Sequence, residues 1–371
     1  MNKIRLAFLF SLICLLIFIP ASFAMDNDTS VISADSVSDD YYFDANIEND
    51  NGNGSIYNPY KTLYSNRIHD NSVIHLADGE YELDSVSYTN NVTIRGTNPE
   101  KTIVSFNGIG FNLRGSLTLS NLTLYNLGVS ASSNNLTATN TIFTGFLSSS
   151  NNVISSQSNV VLTNCSLIGN SANIGGAISM NGGKLTLIDS LLKDNNAVSW
   201  GGAVSAKNGA VIEIDNSRFI NDCSKEDEGG AIYLENSELI AKNLQISNCS
   251  ATIGGAILSV NSKLNINNLT AKNNKAKYYG GVIYSIYNSF SIIGSTLINN
   301  SASYGGAIFA DGVEDFRINH NNFIDNNAIE GDAVFSLLSD FYYDSLYDEA
   351  LKNKFINNDA YVARELNMAF N

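Results

Sequence analysis

The sequence predicts an all-β chain wound as a parallel β-helix, and three observations predict it. The first is a recurring glycine pair followed by small and branched apolar residues. It appears at Gly175-Gly176-Ala177-Ile178, Gly201-Gly202-Ala203-Val204, Gly229-Gly230-Ala231-Ile232, Gly254-Gly255-Ala256-Ile257, Gly280-Gly281-Val282-Ile283 and Gly305-Gly306-Ala307-Ile308, with a worn copy at Gly331-Asp332-Ala333-Val334. Successive first glycines are 26, 28, 25, 26, 25 and 26 residues apart, a period that marks a solenoid or array. The second is an Asn slot on the same period: Leu167 to Asn170, Leu297 to Asn300, Phe323 to Asn326 and Phe355 to Asn358, each with Ala two places on, while Asp222 and Cys249 occupy the slot in two units. The third is run length. Segments such as Glu238–Ala241 and Leu244–Ile246 are strand-sized and β-branched, and no Pro occurs from Lys101 onward, as strands require.

These runs are too short for the helices of a helical solenoid, which need ten or more residues of 3.6 periodicity. The Leu-rich frame of leucine-rich repeats is missing. Three short strands and three turns per unit make one coil, and neighbouring coils stack about 4.8 Å apart with like residues over like. Stacking turns the Asn slot into a ladder of amides. The glycine pair serves a turn where φ is positive or backbones approach closely.

Gly-Gly-Ala-Ile paired with Phe-x-x-Asn resembles the repeat of chlamydial polymorphic outer membrane proteins, and the whole chain resembles the secreted adhesin-like β-helix proteins of methanogenic archaea. The repeat covers Asn164 to Ala360, about half of the chain. The resemblance implies a right-handed β-helix with a cell-surface or adhesive role, and it implies no catalytic residue.

Taken in order, the chain opens with Lys3 and Arg5, an apolar run from Leu6 to Ile19, Pro20, and small residues up to Ala24. Residues 1–24 are read as a secretory signal, because the run is shorter than the ~20 residues that span a bilayer. Its removal takes two basic residues and no acidic one, so the formal charge of −15 becomes −17. Such a chain repels nucleic acid and anionic membranes, and no membrane span is expected after cleavage. Residues 25–42 are polar and acidic and are read as a linker. The helix with its N-terminal cap is placed at 43–336. The Asp50–Ser55 run of Asn, Asp and Gly lacks the EF-hand frame and is read as a turn rather than a metal loop. Residues 337–371 are read as a C-terminal capping segment, because the period stretches there and Ser345–Lys352 carries helix signals.

Signals of chemistry are sparse. His69, His75 and His320 have neither metal nor triad spacing, no cofactor signature is present, and Cys165, Cys223 and Cys249 are read as free thiols. The acidic turn Glu226-Asp227-Glu228 is read as solvated. Glu213 and Asp215 are followed one coil later by Ile240 and Lys242, so no carboxylate pair recurs at facing slots. The candidate binding feature is aromatic. The fourth slot of the Gly-Gly-Ala-Ile strand is always Ile or Val and points inward, so the fifth points outward. Tyr233, Tyr284, Phe309 and Phe335 occupy that slot, and Trp200, Tyr279 and Tyr304 precede glycine pairs. Stacked, these residues would form an exposed aromatic stripe, and exposed apolar ladders mark binding. The reading at this level is a secreted or surface, non-enzymatic adhesion module for glycan or protein ligands. A carbohydrate-active enzyme, a lyase or glycoside hydrolase on the same scaffold, is the alternative.

Overall fold

A computed structural model describes residues 39–225, 228–337 and 353–363. It is a parallel β-solenoid of about 10 turns. Among the described residues, 32 strands form one continuous hydrogen-bonded sheet and five short ones form a second. One regular coil illustrates the build. After Gly229-Gly230 the chain runs through Ile232–Glu235, Glu238–Lys242 and Gln245–Ser247, then the two-residue strand Ser250–Ala251. Each pairs in parallel with its equivalent one coil on: Ile232 with Ile257, Leu239 with Leu264, Ile246 with Ala271 and Ser250 with Lys275. Alternation sends Ile232, Leu234, Leu239, Ala241 and Ile246 into one axial core.

The glycine pair performs two separate tasks. The first glycine of every copy is left-handed, with φ of +65° at Gly229 and +60° at Gly254. The second is excluded sterically: a Cβ on Gly230 would lie 2.0 Å from the Gly255 carbonyl oxygen, and one on Gly255 would lie 2.2 Å from that of Gly281. Backbones therefore meet at this corner.

The amide ladder forms as expected. Asn274 Nδ2 donates to Asn300 Oδ1 at 3.1 Å, and Asn300 Nδ2 donates to Asn326 Oδ1 at 2.8 Å. Each amide also donates to a carbonyl of the preceding coil, as Asn300 does to Ala271 at 3.2 Å. The backbone N–H of Asn274 donates to Asn300 Oδ1 at 2.9 Å. Asn195 continues the ladder to Asp222, whose Oδ1 accepts from its Nδ2 at 3.0 Å. Two further corner ladders were not anticipated: Cys165, Ser190 and Ser217 in one, and Ser237, Ser262 and Asn288 in the other. Left-handed Asn residues such as Asn243, Asn268, Asn273 and Asn299 explain much of the Asn-rich composition, since Asn tolerates that conformation better than other side chains. Many also link coils by amide contacts, as Asn268 Nδ2 does to Asn243 Oδ1 at 2.8 Å.

Two boundaries move. The proposed linker 25–42 ends in a strand, Asp40–Phe43, which pairs in parallel with Val73–Leu76. Stacking also continues beyond 336, since Lys354–Ile356 pairs with Asn322–Ile324 and Ala360–Ala363 with Val334–Leu337. The stretched period is therefore an insertion between strands that keep their register. The signal segment 1–24 and the helix signals at 345–352 lie outside the described residues. The Asp50 turn is a structural knot. Asp50 accepts from Arg67 Nη1 at 2.8 Å and from the backbone N–H of Lys61 at 2.7 Å.

Candidate functional site

The aromatic residues do stack. Tyr233, Leu258, Tyr284, Phe309 and Phe335 lie in one parallel register. Ring centroids are 5.1 Å apart for Tyr284 and Phe309 and 5.0 Å apart for Phe309 and Phe335. They form a cluster separate from the axial core, as the alternation of slots predicted. Their openness was the error. Tyr233 is 5% exposed, Tyr284 9%, Phe309 4% and Phe335 2%. The rings that precede the glycine pairs account for part of this. Trp200 packs on Tyr233 at 5.5 Å, Tyr279 on Phe309 at 4.9 Å and Tyr304 on Phe335 at 5.7 Å. The stripe is a second, lateral core, and only Trp200, Tyr279 and Tyr304 remain half-buried. Burial holds the Tyr233 and Tyr284 phenols well above their usual range, with Glu235 and Asp311 respectively adding to the effect. Burial likewise raises the Asp311 carboxyl. At the Trp200 end the cluster turns polar. Lys207 Nζ lies 3.7 Å from the Trp200 ring centre and 3.1 Å from Glu235 Oε2, which accepts the Tyr233 hydroxyl at 3.3 Å.

A different arrangement occupies the second face. Glu213 and Asp215 both belong to Val211–Asp215 and, two residues apart, project from the same side, about 6.6 Å apart along the backbone. Thr186, Ile188, Ile240 and Lys242 complete a shallow groove of about 310 Å³ over them. Register sets Lys242 directly beside Asp215 and Ile240 beside Glu213. Lys184 Nζ reaches Glu213 Oε1 at 2.8 Å. Asp215 Oδ1 accepts from Asn243 Nδ2 at 3.1 Å. The two carboxylates are adjacent along one strand rather than facing across coils, so they do not meet the facing-pair pattern expected from the sequence.

The remaining candidates are structural. His75 Nε2 lies 3.2 Å from Asp40 Oδ1 and stacks on Tyr42 at 4.5 Å, and His320 occupies a left-handed corner. Cys165, Cys223 and Cys249 are free thiols. Among the described residues no group of three His, Cys, Asp or Glu side chains is arranged to hold a metal ion. No helix among them is long and apolar enough to cross a membrane. Of the acidic turn 226–228, only Glu228 lies within the described residues, and it bridges Trp200 and Ile253 in the ladder of the Gly corner.

No family model matches the sequence, and no curated protein matches it. Among solved structures, the chain is similar to a GH136 lacto-N-biosidase from Eubacterium ramulus, with 10% identity and a TM-score of 0.49 over 87% of this chain and 67% of that one. It is similar also to the pectin methylesterase PemA from Erwinia chrysanthemi, with 10% identity and a TM-score of 0.35 over 68% of this chain and 90% of that one. A third is the catalytic domain of a GH87 alpha-1,3-glucanase in complex with nigerose, with 12% identity and a TM-score of 0.34 over 76% and 63%. These likenesses carry no residue over to this chain. They do correct the expectation of a non-enzymatic adhesion module, because the neighbours found are glycan-acting enzymes, which agrees with the alternative reading instead.

Proposed function

We propose that this chain is a carbohydrate-active enzyme that works at the lateral groove over Val211–Asp215. The observation that carries the reading is the joint projection of Glu213 and Asp215 into one groove, with Lys184 and Lys242 beside them. Glycoside cleavage uses two carboxyl groups flanking the scissile bond, about 5–9 Å apart according to stereochemical outcome. Glu213 and Asp215 supply such a pair, projecting from one side of one strand over one groove. In this reading one carboxyl protonates the leaving oxygen and the other activates water or attacks the sugar. Lys184 fixes Glu213 in place, and Asn243 fixes Asp215. On the other face, the half-buried Trp200, Tyr279 and Tyr304 remain partly open to a ligand, whereas Tyr233, Tyr284, Phe309 and Phe335 serve as lateral core. Secretion, on the strength of residues 1–24, belongs to the same proposal. The resemblance of the repeat to those of polymorphic outer membrane and methanogen proteins is taken to reflect only the demands of stacking coils.

The test is turnover on a panel of polysaccharides, with and without Ca²⁺, for the parent and for Glu213→Gln and Asp215→Asn. Loss of a positioned acid or base lowers the rate by about 10²–10⁴-fold. Activity that survives both substitutions, or no turnover of any panel member, would overturn the assignment.

A further inference from the structure

From Leu239 through Ala310 the chain contains no Asp or Glu, yet it contains five lysines, Lys242, Lys263, Lys272, Lys275 and Lys277, in a protein with 36 acids overall. Folding wraps this acid-free stretch into a belt nearly three coils deep, bounded by Glu238 before it and Asp311 after it. Three of the lysines sit in one coil, at the corner that leads to the small sheet. Lys272 ends Thr270–Lys272, and Lys275 begins Lys275–Ala276. All three are exposed, and no ion pair engages them among the described residues. Lys263, by contrast, meets Glu238 at the margin of the belt at 3.0 Å.

The corner is also concave. A groove of about 600 Å³ runs across coils over the small sheet, lined by Lys275 and Lys277 with Ser250, Ser301 and Ser303 around them. Its depth follows from the register. Ser250, Lys275, Ser301 and Asn327 form one column, and Ala276 between the two lysines is buried inward. Lys275 and Lys277 thus rise two residues apart from the same side, with short hydroxyl side chains on neighbouring coils. Tyr278, beside them, is exposed, and Lys277 Nζ lies 4.8 Å from its ring centre.

We propose that this groove binds a carboxylated polysaccharide, with one carboxylate held between Lys275 and Lys277 and the flanking sugar hydroxyls over the serine column. The inference rests on the carbohydrate reading above and names its substrate class. Charge complementarity selects the occupant. Ammonium groups two residues apart match a single carboxylate, and Tyr278 supplies a face for a sugar ring. Duplex nucleic acid carries a charge every ~1.7 Å along its axis and needs many cationic contacts. The acidic faces on both sides of the belt oppose it, and they oppose an anionic bilayer for the same reason.

The experiment measures binding of an oligogalacturonate, of the same oligomer with its carboxyls methyl-esterified, of duplex DNA and of phosphatidylserine vesicles. The proteins are the parent chain, the Lys275→Ala/Lys277→Ala double variant and Lys101→Ala, a lysine outside the belt that pairs with Asp78. The acidic oligomer binds the parent with an affinity that falls as salt rises, and the ester binds at least tenfold more weakly. The double variant loses at least tenfold on the acidic oligomer while keeping the parent's circular dichroism, and Lys101→Ala binds as the parent does. Equal binding of the ester, unchanged affinity in the double variant, or preference for DNA or vesicles overturns the proposal. Acidic-oligomer binding lost in the double variant, together with no turnover by any form, would leave the groove standing and remove the enzymatic reading alone.

Discussion

Asp222 interrupts the amide ladder, and replacing it with Asn should stabilise the protein at neutral pH. Elsewhere in the column the second amide atom is an NH₂ that donates to a carbonyl of the preceding coil, as in Asn195 to Leu167 at 2.9 Å and Asn300 to Ala271 at 3.2 Å. In Asp222 that position holds Oδ2, which is buried without a hydrogen-bond partner among the described residues. Its Oδ1 already accepts from the N–H and the Nδ2 of Asn195, at 2.9 and 3.0 Å. An ionised carboxylate sets bare oxygen where the ladder calls for a donor. A protonated one restores the donor. Burial accordingly lifts the Asp222 carboxyl from 3.8 to about 7. For an acid raised on folding, the native state binds the extra proton. Stability from this group is complete below pH ~4 and is lost as pH rises through about 7. The full difference corresponds to about 4 kcal/mol as an upper bound. Asp222→Asn supplies the donor at every pH, so its melting temperature should change less than the parent's between pH 4 and 8. The variant should lead the parent at pH 8 by on the order of 5–10 °C, given ~2–4 °C per kcal/mol for chains somewhat smaller than this. Melting both proteins across that range decides it. If the two curves run parallel, or if the Asp222→Asn variant is the less stable of the two at pH 8, the account of the ladder at this coil is wrong.

Other substitutions separate the remaining structural claims. Gly230→Ala should destabilise by roughly 1–3 kcal/mol in denaturant unfolding, because its Cβ meets the Gly255 carbonyl at 2.0 Å, a clash with backbone that no rotamer relieves. Asn300→Leu strands the Asn274 N–H, which now donates to Asn300 Oδ1 at 2.9 Å, and should lower stability by about 1–3 kcal/mol at the melting transition. Phe309→Ala removes a ring buried between Tyr284 and Phe335 and should cost about 3–5 kcal/mol, so a variant that melts with the parent would reopen the ladder as an accessible surface.

The regular coils were legible because stacking is an arithmetic of position. A period near 26 residues, a fixed glycine corner and a fixed polar corner determine which side chain lies over which, and two-residue alternation then assigns each to inside or outside. That reasoning placed Tyr284 and Phe309 outside the axial core. It did not show that Tyr279 folds across to Phe309, because contact between residues before and after a corner depends on how tightly the corner turns. The early coils were harder. Thr102–Leu113 and Leu117–Ala131 run through their corners as unbroken strands with register shifts, and only scattered residues, Gly108 and the left-handed Asn121 and Asn126, mark their bends, with no glycine pair on the repeat's period. Glu213 and Asp215 were visible as residues, but their meaning was not. Neighbours in sequence became a candidate site only once the register set Lys242 against Asp215 and Lys184 reached Glu213.

The close approach at the second glycine has a consequence for how such a chain changes length. Each Cβ at that corner is forbidden by the carbonyl of the coil after it: Gly230 by Gly255, Gly255 by Gly281, Gly281 by Gly306. The constraint passes from one unit to the next and is the same at every joint. Excising or duplicating a complete unit, cut from one glycine pair to the next, rejoins two surfaces that already fit. A change that is not a whole unit shifts the register and brings a side chain to a joint that has no room for one. The worn copy at Asp332 lies where this succession ends, since its coil is followed by the lengthened segment and not by another glycine pair. Length in this architecture therefore varies in whole coils, and the glycine column is the perforation along which it divides.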